Sequence, residues 1–418
     1  MNLAALSVIA LVLAVVVSCL SRLNVGVLAV ALAWIVGVYA GGLPVNTVMG
    51  GFPSQLFLTL VGVTLLFAMA QANGTLERLT HHAVRLCRGN RGIIPIMFFV
   101  LGASLASIGP GNIATAALVV PIAMATATRT KIPSFLMAIM AGNGANAGAL
   151  SPFAPTGIIV SGLMARNGLA GFEWQTYRYN LLAHATVAFV GYAIFGGLKL
   201  FKDHHTVSAS DAAAIATDPA EGPFEPRHWL TLAVIAALIL SVLFAQVNVG
   251  MGAFAGAVLL VLTGAADDAE AIKRMPWRVI VMVCGVTVLI SLVERVQGID
   301  LLVSLVARIA SPRTVTAVVA FFTGLVSVYS STSGVVLPAF LPMVPGLTAQ
   351  LPGASALAIA SSMNIGGHLV DVSPLSTLGA LCIAGATAED SRSLFNKLLA
   401  WGLSMAVVGA VLCFLLFG

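Results

Sequence analysis

Apolar runs long enough to cross a membrane follow one another along almost the whole sequence, and they restrict the fold more than any other feature. Only α-helices and closed β-barrels satisfy their own backbone hydrogen bonds inside a bilayer. Apolar runs of about 20 residues have the length of a spanning helix. The 41 glycines among 418 residues fit closely packed helices better than a barrel. Charged residues make up only 8% of the chain, against about 25% in soluble domains. The sequence therefore predicts an all-α polytopic membrane protein.

Several other classes receive no support from the sequence. The first apolar run, Leu3 to Leu20, lacks a basic leading segment and an A-x-A cleavage site, so we interpret it as a span. The five cysteines are scattered and none forms a CxxC pair, so we expect no disulfide framework or metal knuckle. The net charge of +5 does not suggest a nucleic-acid partner. We expect membrane lipid to surround the apolar helices.

The order of the apolar runs repeats on either side of a polar linker at 202–228. Each half is predicted to contain three scaffold spans, an interfacial helical arm, a hairpin followed by a broken span, and a last span. For the first half, 1–201, these lie at 3–72, 74–90, 92–165 and 177–200. For the second half, 229–418, they lie at 229–293, 294–311, 314–387 and 393–417.

Matching positions indicate that the two halves arose by duplication. Gly62-Val63-Thr64 recurs as Gly285-Val286-Thr287, and later matches share an offset of 222: Phe99, Gly102, Gly144, Ser151, Pro152 and Gly157 recur as Phe321, Gly324, Gly366, Ser373, Pro374 and Gly379. A near-constant offset along the chain is stronger evidence than any single match. Each half has five full crossings, so the second half is expected to be inserted upside down. Such inverted repeats are typical of secondary transporters.

The distribution of basic residues predicts an orientation. With the N-terminus outside, 15 of the 20 basic residues face the cytoplasm, as the positive-inside bias requires. The other five are Arg166, Arg178, Arg295, Arg308 and Arg313. We therefore expect a multi-pass protein of a bacterial-type inner membrane, with the N- and C-termini outside.

Four polar clusters interrupt the apolar runs at membrane depth. The hairpins turn at 107–112 and 329–334, and the span after each hairpin is broken, at 142–157 and at 362–379. Irregular backbone at this depth must line a cavity or be buried in protein. Unwound carbonyls can hold a cation, and half-helix N-termini can hold an anion. The alternative is that small residues simply pack helices closely. The paired positions, and amides that are costly to bury unpaired, favour a binding site.

Charged groups inside the predicted membrane core are few. Asp371 is the only acidic residue that we place there, three residues after His368. Intramembrane ionisable groups are functional candidates: Asp371 could ligate Na⁺ or carry a proton, and His368 could donate to a substrate carboxylate. A structural Asp–His pair is the alternative, and His184 is interpreted as a packing histidine. No Lys or Arg is predicted in this core, which favours cation symport over anion exchange for a dianionic substrate.

The stretch GPGNIATAALVVPIA, from Gly109 to Ala123, resembles the S-N-T-A-T-x-x-x-x-x-P hairpin motif of the ion transporter superfamily, which includes the divalent-anion:sodium symporters. Asn112 and Pro121 fall on the Asn and Pro of that motif, whereas Gly111 and Ile113 replace its Ser and first Thr. The first 165 or so residues resemble the MatC dicarboxylate carrier family more closely. The segments LNVGVLAVALAWIVG and AGNGANAGALSPFAPTGIIV carry that likeness.

The resemblance implies an elevator-type transporter, commonly a homodimer, for malonate or a C4-dicarboxylate, with Na⁺ as the coupling ion. Each hairpin tip and the following break would hold a cation. The cation ligands carried over are Ser107, Gly109, Asn112, Asn143 and Asn146 at the first site, and Ser331, Thr332, Ser333, Asn364 and Gly367 at the second, with Asp371 nearby. The expected substrate contacts are Asn112, Ser151, Thr332, Ser373, Thr377 and His368.

Other functions remain open at this point. An intramembrane enzyme lacks support, because the chain has no HExxH or GxSxG motif. Paired hairpins in an inverted repeat fit a gated carrier better than a channel. Within carriers, the alternatives are a proton-coupled dicarboxylate carrier, a cation/proton antiporter and an inorganic-anion transporter on the same fold.

Overall fold

The computed structural model describes residues 2–21, 23–85, 89–201, 206–207 and 223–418. The predicted linker therefore lies largely outside the described residues. In the first half the helices are α1 Leu3–Leu20, α2 Val25–Trp34, α3 Val45–Met49, α4 Ser54–Ala72, α5 Thr75–Arg85, α6 Ile93–Ile108, α7 Gly111–Thr130, α8 Ser134–Ala147, α9 Pro155–Arg166, α10 Glu173–Ile194 and α11 Gly197–Leu200. A π-helical turn, Ile35–Ala40, continues α2.

The second half contains helices in the same order. They are α12 Pro226–Ala245, α13 Val249–Leu262, α14 Asp268–Arg274, α15 Trp277–Arg295, α16 Gly298–Ile309, α17 Val315–Ser327, α18 Leu337–Phe340, α19 Val344–Gln350, α20 Ala356–Leu369, α21 Thr377–Ala384 and α22 Ala388–Phe417. Short irregular helical turns occupy Thr332–Val336, Leu341–Met343 and Val370–Val372. The two-residue strands β1 Gly89–Asn90 and β2 Thr206–Val207 pair antiparallel.

The all-helical, multi-pass character predicted from the sequence is confirmed. Within the described part of the chain, seven helices are long and apolar enough to cross a membrane, and five shorter apolar helices accompany them. Local chemistry sets where several helices begin. Asn24 and Asn248 cap α2 and α13, their side-chain oxygens accepting from the Gly26 and Gly250 N–H groups at 3.0 and 3.1 Å.

The positions of glycine and proline explain why helices are interrupted at the polar clusters. The first hairpin turns at Gly109 and Pro110, between α6 and α7, with Gly109 and Gly111 at φ of +150° and +77°. Both values lie in the region that only glycine adopts readily. The span after this hairpin stops at Ala147 and restarts at Pro155, a residue suited to a helix N-terminus.

Buried apolar side chains separate into two clusters. The first joins α1, α2, α4 and α12 to α16, with Leu11, Ala29, Leu66 and Val283 among its members. The second joins α6, α7, α8, α10 and α22, with Phe98, Val120, Ile139, Val187 and Leu398 among its members. Helices α17 and α20 contribute to both clusters. The first hairpin, α8 and α10 thus share the second cluster, whereas α9 and the return arm of the second hairpin, with Leu337 and Leu347, pack in the first.

Matched glycines mediate matched helix crossings. A methyl group on Gly285 would lie 2.2 Å from the Gly26 carbonyl oxygen, where α15 crosses α2. A methyl group on Gly62 would lie 2.4 Å from the Gly250 carbonyl oxygen, where α4 crosses α13. Gly62 and Gly285 are corresponding positions at the sequence offset of 223, and so are Gly26 and Gly250 at 224. The two halves therefore make the same contact twice.

We expect Gly285→Ala to destabilise the protein by about 1–3 kcal/mol, because the added methyl must push two backbones apart. The measurement is the thermal unfolding midpoint of the detergent-solubilised protein. Gly162→Ala in α9 is the matched control, since its methyl would meet only the Leu56 side chain, at 3.4 Å. Equal midpoints for the two variants would contradict the close crossing.

Candidate functional site

The first hairpin tip and the first break are joined by a buried amide pair. The Asn112 side-chain nitrogen donates to the Asn146 side-chain oxygen at 2.9 Å. Thr156, at the start of α9, lies 3.5 Å from the Asn112 side-chain oxygen. Asn112 is 7% exposed and Asn146 is fully buried. The tip and both halves of the broken span thus meet at Asn112.

Ser107 and Ser151 form a second link between the same elements. The Ser151 hydroxyl donates to the Ser107 carbonyl oxygen at 2.7 Å. The Ser107 hydroxyl bonds to the Ala103 carbonyl at 2.6 Å and lies 2.8 Å from the Tyr177 hydroxyl oxygen. Ser107 therefore lies at the tip, where a cation ligand is expected. Its hydroxyl and its carbonyl oxygen both bond to protein groups.

Gly109 lies against the first apolar cluster. A methyl group on Gly109 would lie 2.0 Å from the Phe67 ring of α4. A methyl group on Gly111 would lie 2.9 Å from the Pro155 ring. The tip fits between α4 and the break only because these two positions have no side chain.

Asn143 belongs to the predicted first site but faces a different helix. Its side-chain nitrogen donates to the Ile139 carbonyl at 2.8 Å, so its oxygen accepts from Nδ1 of His184 at 2.9 Å. Both residues are fully buried. The hydrogen bonds of Asn143 thus connect α8 to α10, and none of them reaches the tip residues Ser107, Gly109 or Asn112.

The second tip and second break are joined by hydroxyl and carboxylate groups. The Thr332 hydroxyl donates to an Asp371 carboxylate oxygen at 2.7 Å and lies 3.3 Å from the Gly367 carbonyl. The Ser327 hydroxyl contacts the Thr332 hydroxyl. The second site therefore holds an acidic oxygen, whereas amides and hydroxyls make up the first.

The other predicted residues of the second site are less closely joined. The Ser331 side chain caps the turn that begins at Thr332, accepting from the Gly334 N–H at 3.2 Å, and Ser333 is half-buried beside it. Asn364 faces Met164 of α9, with its side-chain nitrogen 3.7 Å from the Met164 sulfur. In the described part of the chain, the Thr332 hydroxyl bonds to Ser327, Gly367 and Asp371, and neither Ser333 nor the Asn364 side chain is among its partners.

His368 and Ser373 are buried, and Thr377 is not. Nδ1 of His368 donates to the Asn364 carbonyl at 2.8 Å. Ser373 is fully buried next to Gly402. Thr377, at the start of α21, is exposed. Its neighbour Ser376 closes the break instead, bonding to the Ser373 carbonyl at 2.8 Å and to the Asp371 carbonyl.

The two breaks touch one another through buried polar groups. The Asn146 side chain donates to the His368 carbonyl at 3.4 Å. Asn180 of α10 donates to the Asn146 and Ala147 carbonyls at 2.8 and 3.3 Å. The two breaks are therefore joined directly by a hydrogen bond between α8 and α20.

Sequence reasoning missed Asn180 and gave His184 only a packing role. A signal was available: Asn180 and His184 have the spacing N-x-x-x-H, and so do Asn364 and His368. This spacing places both residues on one face of a helix. Among the described buried side chains, the Asn180 and Asn364 oxygens and both histidine Nε2 atoms have no partner. The two amide oxygens are acceptors, and each Nε2 is an acceptor because Nδ1 of the same ring donates to an oxygen. The region therefore suits water or a cation.

A classical metal centre does not form in the described part of the chain, since no three His, Cys, Asp or Glu side chains are grouped there. A cation in this region would have to be held mainly by carbonyl, amide and hydroxyl oxygens, with Asp371 as the single acid. Such ligands are typical of Na⁺ sites at broken helices.

Comparison with known proteins supports a transporter fold. Residues 1–149 match the family model described as the N-terminus of the dicarboxylate carrier protein MatC, which confirms the resemblance noted for that part of the chain. No match was found among curated proteins. The crystal structure of the Alcanivorax borkumensis YdaH transporter, described as having an unusual topology, superposes with a TM-score of 0.61. The match covers 88% of this chain and 87% of that one at 16% identity. The chain is thus a multi-pass membrane protein with the fold of a transporter.

Proposed function

We propose that this protein is a secondary active transporter that imports a small dicarboxylate, malonate or a C4-dicarboxylate, together with a cation. The observation that carries the proposal is the pair of tip-to-break contacts, Asn112 with Asn146 and Thr332 with Asp371. The match of residues 1–149 to a dicarboxylate carrier model supports the substrate class. The transporter fold supports transport over catalysis.

Na⁺ is the proposed coupling ion. Cations would bind where each tip meets its break, near Asn112 and Asn146 at one site and near Thr332 and Asp371 at the other. The substrate would lie between the tips, within reach of Ser151, Ser373 and His368. With no basic residue expected there, bound cations and half-helix N-termini would offset the charge of the two carboxylates.

An elevator movement is the proposed mechanism. The hairpins and the broken spans would move against the scaffold helices α1, α2, α4, α12, α13 and α15. The contacts that would have to slide include Gly109 on Phe67 and Gly334 on Met282. The proposal also includes inverted repeats, termini on the outer side, an inner-membrane location and a homodimer built on the scaffold helices.

Uptake of radiolabelled malonate into proteoliposomes tests the function. We expect uptake driven by an inward Na⁺ gradient and competition by unlabelled succinate. Liposomes without protein are the control. Absence of uptake by intact, correctly folded protein would rule out this substrate class.

A proton-coupled carrier is the second candidate, and the Thr332–Asp371 contact is the observation that favours it. A carboxyl group that already has a hydroxyl donor can exchange a proton without losing its place in the fold. Uptake under a pH gradient with K⁺ in place of Na⁺ would support this candidate. Dicarboxylate-independent Na⁺ flux would instead indicate a cation/proton antiporter, and uptake of an inorganic anion in place of malonate would indicate an inorganic-anion transporter.

A further inference from the structure

A cavity of about 1070 Å³ lies between the scaffold helices and the first break. Its walls come from the N-terminal turns of α4 and α13 and from one side of α9, and Pro152 also lines it. Because Pro152 directly follows Ser151, the cavity reaches the break that Asn112 contacts. Cavities of a few hundred to a thousand Å³ are the usual size of small-molecule sites.

Arg166 is the only basic residue among the described residues that line the cavity. It ends α9, the half-helix that follows the break. Gln55, Asn248 and Ser161 provide neutral polar groups on the same walls. Glu173 is the one acidic lining residue, and one of its oxygens accepts from the Gly171 N–H at 3.1 Å.

The Arg166 guanidinium has a weak partner outside the lining. Its nitrogen lies 3.6 Å from a Glu294 oxygen, and the two side chains are 43% and 37% exposed. Ion pairs with this separation and exposure contribute little, because water competes for both charges. A planar guanidinium is also suited to binding a carboxylate through two hydrogen bonds.

We propose that the cavity is a capture site for carboxylate anions, in which Arg166 exchanges Glu294 for a carboxylate of the entering substrate. This inference rests on the proposed function and adds a first binding position to it, ahead of the tips. Glu294 acts as a competitor for Arg166, so the two residues have opposite effects on apparent affinity.

The test compares Arg166→Gln and Glu294→Gln in proteoliposome uptake of labelled malonate and in equilibrium binding of labelled malonate to the purified protein. Arg166→Gln should raise KM and Kd about five- to tenfold, the loss of one charge-assisted contact. Glu294→Gln should lower both about two- to fivefold, because it removes the competitor. The double variant should behave as Arg166→Gln.

A gain in affinity for Glu294→Gln is a readout that misfolding does not produce. Arg178→Gln on α10 is the matched control, since the same charge is removed from a residue that does not line the cavity, and it should leave KM unchanged. Wild-type transport with no change in either Arg166→Gln or Glu294→Gln would overturn the capture site alone. Failure of the wild type to bind or transport malonate would overturn the proposed function as well.

Discussion

Asn112→Ala is expected to lower dicarboxylate uptake by about a hundredfold or more, the scale of effect seen when a positioned group is lost from a site. The substitution removes the donor to Asn146 and leaves that buried side-chain oxygen without its partner. An unpaired buried polar group costs about 1–3 kcal/mol. The tip would lose its connection to the break, and any cation or carboxylate held between them would lose its ligands. The measurement is the initial rate of labelled malonate uptake.

Thr128→Ala is the matched control for this variant. It removes a polar group from the exposed end of the same helix, about 24 Å from Asn112 at 1.5 Å per residue. We expect normal uptake and an unchanged unfolding midpoint. Asn146→Ala should reproduce the defect, and the double variant should be no worse than either single one, since both remove the same contact. Normal transport by folded Asn112→Ala would exclude the first tip from the site.

Asp371→Asn is expected to reduce gradient-driven accumulation at least about tenfold, since a charge is lost from a site of low dielectric. The amide is nearly isosteric and its oxygen can still accept from the Thr332 hydroxyl, a contact of 2.7 Å in the wild type. The defect would therefore reflect the lost charge more than a lost fold. Accumulation is measured under an inward Na⁺ gradient and, separately, under a pH gradient.

The pattern of loss identifies the coupling ion. If Asp371 ligates Na⁺, the variant should require a higher Na⁺ concentration for half-maximal uptake. If Asp371 carries the coupled proton, the variant should lose pH-driven accumulation but keep exchange of internal for external malonate. Asp300→Asn, the same change at an exposed position of α16, should alter neither. Wild-type accumulation by Asp371→Asn under both gradients would remove Asp371 from coupling.

The first site shows how far sequence reasoning reached. Gly109, Pro110 and Gly111 predicted a turn, and the structure has that turn, because positive φ values and missing side chains are local requirements. Asn112 and Asn146 were both expected at this site, and they meet. Asn143 was grouped with them, yet it bonds to His184. Asn143 and Asn146 are three positions apart on the same helix, so a small helix rotation decides which neighbour each one faces.

The second site shows more clearly where prediction from the sequence stops. Thr332 and Asp371 meet as expected, but Thr377 is exposed and Ser376 closes the break. Adjacent hydroxyl residues at a helix start look alike in sequence. Which one turns inward depends on the path of the short helical turn before it, and the packing of α20 and α22 sets that path.

Apolar run length and the positions of glycine and proline were enough to predict that the chain crosses a membrane as helices and where those helices break. These properties are local, since each depends on a residue and its near neighbours. The partners across helices were set by packing alone: Asn180 on the Asn146 carbonyl, His184 on Asn143, and Arg166 of the cavity wall near Glu294. Such pairings depend on the rotation and depth of helices far apart in sequence, which no local pattern encodes.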